Sequence, residues 1–171
     1  MSDTGPSSQG SPFWRFSLQF YRLPKVADAC IALQEEAGVD VNLLLFLLWH
    51  ARQRRRLSAA DVAALEARIA PWRDLTVIPL RSVRRALKSP PALVEAATAE
   101  AFRNRIKAVE LEAERLQQEA MYALAPLGTE ATDPKEAARA NVAAYEEMLR
   151  VRFPQPAAAT LLAAFASMPS E

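Results

Sequence analysis

The longest uncharged, largely apolar stretch of the chain predicts a helix that is buried on all sides. Residues 41–51 read VNLLLFLLWHA and lead directly into the basic run RQRRR at 52–56. A helix with one wet side alternates with a period of about 3.6 residues, and this stretch shows no such alternation. We therefore expect a helix over residues 41–55 at the centre of the fold, with Asp40 as its N-cap.

Capping residues and prolines predict two helices before this central one. Ser11 followed by Pro12 is an N-cap with proline at the first helical position, and it begins a short aromatic helix over residues 13–22. Pro24 begins the second helix, and Gly38 ends it as a C-terminal cap.

The segment after the central helix predicts another helix and then a joint. Ser58, with Asp61 three residues on, is an acidic variant of the capping box, and we expect this helix to end at Pro71. Thr76–Ile78 are β-branched and precede Pro79, which favours a turn or an extended joint. We find no credible strand anywhere in the chain.

A long helix is predicted over residues 92–124, after the break at Pro90. Its apolar residues step by 4, 3, 4, 3, 4 and 3, which is the spacing of a coiled coil and calls for a helical partner. These residues are Phe102, Ile106, Val109, Ala113, Leu116, Ala120 and Ala123. Self-association through the long helix is one way to supply that partner. Shorter helices over 134–152 and after Pro156 complete the chain.

These elements predict an all-α protein, a helical bundle around a central buried hydrophobic helix with one long amphipathic helix. We expect residues 1–11 to be a disordered tail and residues 12–89 to form an N-terminal helical region. Residues 90–171 would add the long helix and the C-terminal helices, which pack on that region as one domain.

A short helix beginning at Pro79 carries the most concentrated charge. Its apolar residues Leu80, Val83 and Leu87 are expected inside, and four cations at spacing i, i+3, i+4, i+7 outside. These cations are Arg81, Arg84, Arg85 and Lys88. Like charges on one helical face repel unless something acidic covers them. The compensating negative charge is expected from the protein's own acidic half, from an acidic protein partner or from phosphate. Nucleic acid is the least favoured source, because no aromatic residues alternate with the arginines.

Charge is distributed unevenly between the two halves. The 171 residues have a hydrophobic fraction of 51%, a charged fraction of 24% and a net charge of +1. Up to Pro90 there are 13 Lys/Arg against 8 Asp/Glu, and beyond it 8 against 12. The composition is that of a globular protein, and the basic half can bind an anion locally or face the acidic half.

Polar and aromatic residues on and beside the central helix predict a candidate ligand crevice. Its lining would be Trp14, Tyr21, Asn42, Trp49 and His50. Such a crevice suits a small, partly apolar ligand, although a lone histidine on an apolar helix is more often a hydrogen-bonded core residue.

The sequence offers little for catalysis. Cys30 shares an apolar stripe with Val26, Leu33 and Ala37, where burial makes a thiol inert, so pairing with His50 as a nucleophile is the weaker interpretation. One cysteine and one histidine exclude the usual zinc sites, and we predict no metal, no cofactor and no catalytic residue.

The chain carries no predicted membrane segment. Its longest uncharged apolar run is about 11 residues, against about 20 needed to cross a bilayer. The N-terminal segment is polar and lacks a basic residue before a hydrophobic core, so we do not interpret it as a secretory signal. A single cysteine fits a reducing compartment, and we expect a cytoplasmic protein.

Several spaced motifs resemble a proteobacterial family of uncharacterised all-helical proteins. They are Phe13-Trp14-Arg15-Phe16 with Tyr21, Val26-Ala27-Asp28-Ala29-Cys30, Leu33-Gln34, the run 38–46 with Trp49, then Trp72, Pro79-Leu80-Arg81 and the run 84–88. The resemblance covers about residues 13–124. It implies a bacterial cytosolic helical protein and transfers no catalytic role.

Three hypotheses for the function therefore remain. The first is a non-enzymatic interaction or adaptor protein that uses the basic helix and exposed parts of the long helix. The second is a small-ligand-binding protein or enzyme that uses the crevice near Trp49 and His50. The third is a nucleic-acid binder.

Overall fold

The computed structural model describes residues 9–169 and is all-α, as predicted. The elements in chain order are α1 (Pro12–Tyr21), α2 (Val26–Ala37), α3 (Val41–Arg52), β1 (Arg55–Arg56), α4 (Ala59–Trp72), a π-helix (Arg73–Val77), α5 (Ile78–Ala86), α6 (Ala96–Tyr122), β2 (Thr129–Glu130), α7 (Pro134–Leu149) and α8 (Gln155–Ser167). The disordered tail predicted for residues 1–11 lies mostly outside the described residues.

The central helix α3 is buried along nearly its whole length, as predicted. Every residue from Asn42 to Ala51 is buried, and the Asp40 carboxylate caps the helix by accepting from the backbone N–H groups of Asn42 and Leu43. The helix ends at Arg52 and not at Arg55, because Arg54 adopts a left-handed conformation.

A two-residue antiparallel pairing follows α3, so the prediction that the chain has no strand was wrong. Arg55 pairs with Glu130 and Arg56 with Thr129. Gly128 adopts a φ of +71°, and a Cβ there would lie 2.2 Å from the Arg56 carbonyl oxygen, so the approach requires glycine. Strands of two residues are too short to show an alternating pattern, which is why the sequence did not reveal them.

The chain from Ala59 to Ala86 is helical throughout, so the predicted stop at Pro71 and the predicted joint at Thr76–Ile78 were wrong. Pro71 lies inside the last turn of α4, and the π-helix begins directly after Trp72. The Ile78 N–H donates to the Arg73 carbonyl, five residues back, so the wider turn absorbs the register change before Pro79. Pro79, the second residue of α5, lacks an N–H, and it directly follows this change of hydrogen-bond register.

One hydrophobic core joins the N-terminal and C-terminal parts of the chain. α3 packs most extensively against α7 and also against α1 and α6, while α2 packs against α8 and α4 against α7. Tyr145, Phe153 and Leu161 belong to the same buried cluster as the leucines of α3. Among residues 9–169, no helix is long and apolar enough to cross a membrane.

The antiparallel partners α5 and α6 face each other with polar side chains, so the predicted orientation of each helix was wrong in part. Arg85 and Lys88 are exposed and Ala113 is buried, as predicted, but other residues of the two helices are reversed. On α5, Arg81 and Arg84 point at α6, and Val83 is 44% exposed. The buried residues of α6 are Ala99, Glu110, Ala113, Gln117, Gln118 and Met121. Phe102, Val109 and Leu116, predicted to lie inside, are 44%, 47% and 52% exposed. The polar face of α6 can be buried because Arg81 and Arg84 of α5 form ion pairs with Glu110 there.

Candidate functional site

A groove of about 940 Å³ lies between α1, α2, the start of α3, α5 and α6, and we call it the basic groove. Six cationic side chains and three carboxylates line it, an excess of three positive charges. The cations are Arg22, Arg81, Arg84, Arg85, Lys88 and Lys107, and the carboxylates are Glu35, Glu110 and Glu114. All four residues of the predicted basic set are therefore in one groove.

Two of the arginines are paired within the protein. Arg81 donates from Nε to Glu110 over 3.0 Å, from Nη2 to Glu114 over 2.7 Å and from Nη1 to the Gln34 amide oxygen over 3.0 Å. Arg84 donates to both carboxylate oxygens of Glu110. The acidic half thus covers half of the basic set, one of the alternatives that the sequence left open.

These pairs shift the carboxyl groups in opposite directions. Burial alone would raise the pKa of Glu110, but the hydrogen bonds and charges of Arg84 and Arg81 outweigh burial and lower it. Burial raises the pKa of Glu114, and the charge of Arg81 offsets that only in part. Glu110 is the ionised anchor of the network.

The remaining cations form an exposed rim. Arg85 approaches Glu35 at 3.7 Å, and both side chains are about half exposed. Arg22, Lys88 and Lys107 are exposed and have no ion-pair partner among residues 9–169. The rim therefore holds positive charge that the described part of the chain does not neutralise.

Apolar and aromatic side chains line the rest of the groove. They are Trp14, Leu18, Tyr21, Cys30, Ile31, Val41, Leu45 and Leu111. The Arg115 guanidinium lies 5.9 Å from the centre of the Trp14 ring. Burial, followed by the nearby Cys30 and Glu114, raises the pKa of Tyr21, so its phenol stays protonated at neutral pH.

Two buried polar atoms in the groove lack a hydrogen-bond partner in the described part of the chain. They are the Ser17 hydroxyl oxygen and the Gln118 amide oxygen, on side chains of residues that are 4% and 2% exposed. The Gln118 amide nitrogen donates to the Asn42 side-chain oxygen over 2.7 Å, which fixes the direction of the Gln118 side chain. Both atoms are buried beneath the surface of the groove lining, so a bound molecule does not reach them unless these side chains move.

A smaller cavity of about 480 Å³ adjoins the groove and shares Gln34, Val41, Asn42, Arg81 and Arg85 with it. Its wall contains a charged cluster in which Arg73 donates to both oxygens of Glu66 and to Asp40. The Tyr145 hydroxyl accepts from the Asp40 backbone N–H over 2.9 Å. This cluster fixes the start of α3, which carries Asn42 to the groove.

The residues predicted for a single crevice occupy two places. Trp14, Tyr21 and Asn42 line the basic groove. Trp49 and His50 lie in the core, where Trp49 contacts the rings of Phe13, Phe46 and Tyr122.

His50 is a fully buried, hydrogen-bonded core residue. Its Nδ1 lies 3.0 Å from the Phe46 carbonyl oxygen, and its Nε2 accepts from the Leu127 N–H over 3.2 Å. These partners require the neutral tautomer with the proton on Nδ1. Burial lowers the His50 pKa to about 4, more than the Phe46 hydrogen bond raises it.

Cys30 is buried under the groove, as its apolar stripe predicted. Burial raises the pKa of its thiol to about 12, so the thiol is protonated at neutral pH. Among residues 9–169, no three His, Cys, Asp or Glu side chains are grouped to hold a metal ion.

Several groove residues were not predicted from the sequence, among them Ser17, Arg22, Lys107 and Gln118. Gln118 and Glu110 lie eight residues apart on α6 and belong to a polar stripe, which on an amphipathic helix ordinarily faces solvent. Arg22 and Lys107 are single surface cations whose sequence context carries no signal.

These features define the class of this protein, an all-α protein with a groove that has a cationic rim and an apolar floor. Residues 12–121 match the family described as "Protein of unknown function (DUF2390)", and the chain belongs to that family. The matched segment contains α1 to α5 and nearly all of α6, and therefore every residue that lines the groove. No curated protein and no solved structure matches the chain.

Proposed function

We propose that this protein is a non-enzymatic interaction protein whose basic groove binds an acidic, partly apolar segment of a partner protein. The observation that carries the proposal is the excess of three positive charges around an apolar floor. A segment with Asp or Glu beside Leu, Ile or Phe would pair its carboxylates with Arg85, Lys88 and Lys107. Its apolar side chains would then contact Leu18, Ile31 and Leu111.

The titratable groups of the groove favour binding over catalysis. The Cys30 thiol and the Tyr21 phenol are both protonated at neutral pH, because burial raises both pKa values. The one histidine lies in the core with both ring nitrogens in hydrogen bonds. The groove thus supplies charge, apolar surface and hydrogen bonds. The unpaired, buried Cys30 fits a reducing compartment, and we extend the proposal to a cytoplasmic location.

Selection from a random peptide library on the purified full chain tests this proposal. We expect enriched peptides to combine acidic and large apolar residues and to bind less tightly as salt rises. Reversing two rim charges, Lys88→Glu with Lys107→Glu, should weaken the selected peptides by about tenfold or more.

The matched control reverses two exposed cations of α7, Lys135→Glu with Arg139→Glu, and should leave peptide binding unchanged. Peptides that bind both double variants equally well would show that the groove is not the site. Retention of the chain on heparin or RNA that depends on Lys88 and Lys107, without any peptide selected, would replace the proposal by the nucleic-acid interpretation.

A further inference from the structure

We propose that two copies of this chain associate through the exposed apolar stripe of α6, in antiparallel orientation around a two-fold axis near Val109. The stripe is Phe102, Val109 and Leu116, spaced by seven residues. It lies on a side of α6 other than the groove, so the proposal does not depend on the proposed function.

The stripe is exposed and continuous along the helix. Its three side chains are between 44% and 52% exposed and span about 21 Å at 1.5 Å per residue. Trp72, 39% exposed, borders it, and its indole N–H donates to the Ala113 carbonyl over 3.0 Å. Apolar residues at heptad spacing on an exposed helix are typical of a helix that packs against another helix.

The charges beside the stripe favour a second copy in antiparallel orientation. Glu110 and Glu114 are paired with α5 arginines and Lys107 lines the groove, so these charges do not face this side of α6. Arg105 and Glu112 are exposed beside the stripe, on opposite sides of Val109 along the helix. A second copy running the opposite way places each arginine beside a glutamate, whereas a parallel copy places like charges together, which costs free energy.

Two residues beside the stripe give this pairing a specific contact. Arg105 lies next to the stripe, with its guanidinium carbon 5.6 Å from the centre of the Phe102 ring. Glu112 is exposed and follows Arg105 by one heptad, with Val109 about midway between the two. In an antiparallel pair centred on Val109, Arg105 of each copy therefore lies opposite Glu112 of the other, and the contact occurs twice.

Sedimentation equilibrium on the full chain, from about 1 µM to about 1 mM, measures this association over the range of transient complexes. We expect a reversible monomer–dimer equilibrium. Leu116→Glu should weaken it by about a hundredfold, because two carboxylates would enter an apolar contact. The matched control is Leu111→Glu, 51% exposed on the groove side of α6, which should leave dimerisation unchanged.

These two variants separate this proposal from the previous one. Leu111→Glu should impair peptide binding and spare the dimer, whereas Leu116→Glu should do the reverse. A chain that stays monomeric up to about 1 mM, or equal effects of the two variants on association, would overturn the dimer.

Charge swapping tests the orientation. Arg105→Glu should weaken the dimer by about tenfold through two Glu–Glu contacts, and adding Glu112→Arg in the same chain should restore it. In a Cys30→Ala background, a mixture of Phe102→Cys and Leu116→Cys chains should form the mixed disulfide in preference to either symmetric one. Failure of the charge rescue, or a preference for symmetric disulfides, would rule out the antiparallel arrangement.

Discussion

α3 and α6 both carry polar residues among apolar ones, but they bury opposite kinds of side chain. α3 buries every residue from Asn42 to Ala51, and its Asn42 and His50 side chains are neutral and hydrogen-bonded. α6 buries Glu110, Gln117 and Gln118 and leaves Phe102, Val109 and Leu116 half exposed. α3 is apolar on every face, so every face must be buried. α6 has a polar face and an apolar face, and the helices around it determine which of the two is buried.

The helices packed against α6 explain why its polar face is the buried one. α5 presents guanidinium groups at Arg81 and Arg84, and the start of α3 presents Asp40 and Asn42. Each needs a polar partner once buried, and Glu110, Gln117 and Gln118 supply it. Amphipathic periodicity therefore identifies two faces of a helix, while the chemistry of the surrounding helices determines which face is buried.

The largest expected difference between the two helices appears when each loses a leucine. Leu48→Ala, at a position that is 0% exposed in α3, should lower the free energy of unfolding by about 2–5 kcal/mol, because it removes buried methyl groups and leaves a cavity. Leu116→Ala on α6 should cost less than about 1 kcal/mol in dilute solution, where only the monomer is present. Urea unfolding followed by circular dichroism measures both values. Similar losses for the two variants would mean that the exposed stripe is in fact part of the core.

Acid should destabilise the α3 region through His50. The pKa of His50 is lowered from 6.5 to about 4 in the folded protein, so between these pH values the unfolded chain binds a proton that the folded chain does not. The stabilisation is complete above the unfolded pKa and is lost as the pH falls from about 6.5 to about 4. Over that window it amounts to about 3 kcal/mol.

A variant that cannot titrate isolates this effect from the carboxyl groups. The difference in unfolding free energy between the wild type and His50→Gln should shrink as the pH falls from 7 to about 4.5. Urea unfolding at a series of pH values gives the two curves. Parallel curves would indicate that His50 titrates normally and that its two hydrogen bonds do not hold it neutral.

The local signals in the sequence were sufficient for much of the fold. Ser11, Asp40 and Ser58 cap the helices for which they were predicted, and Gly38 ends α2 in a left-handed conformation. Each of these depends on a few adjacent residues, so no distant contact was needed. The β1–β2 pairing could not be predicted in the same way, because it joins residues more than 70 positions apart through two-residue strands.

The four cations of the candidate site were predictable from the sequence, but which other side chains share the groove with them was not. Helical spacing grouped Arg81, Arg84, Arg85 and Lys88, and all four line the groove. The same reasoning placed Trp49 and His50 with Asn42, although two helical turns, or about 10 Å, separate Asn42 from Trp49. Which side chains share a cavity depends on how α1, α5 and α6 approach α3, and no local pattern encodes that approach.

The smallest expected effect concerns the buried carboxylate that distinguishes α6 from α3. Glu110→Ala should lower the free energy of unfolding by about 1–3 kcal/mol, because it leaves the partly buried guanidinium of Arg84 without its carboxylate partner and removes one of the two carboxylates bound by Arg81. Glu112→Ala, an exposed carboxylate on the same helix, should change it by no more than about 0.5 kcal/mol.

The pH dependence gives this prediction a second readout. Because the pKa of Glu110 is lowered in the folded protein, its contribution is complete above the ordinary glutamate pKa and is lost as the pH falls through the lower folded value. The destabilisation by Glu110→Ala should therefore be largest near neutral pH and diminish in acid, while that of Glu112→Ala stays small throughout. Equal effects of the two alanine variants at neutral pH would show that the buried polar face of α6 contributes no stability. The burial of the apolar residues Ala99, Ala113 and Met121 would then be what holds the helix in place.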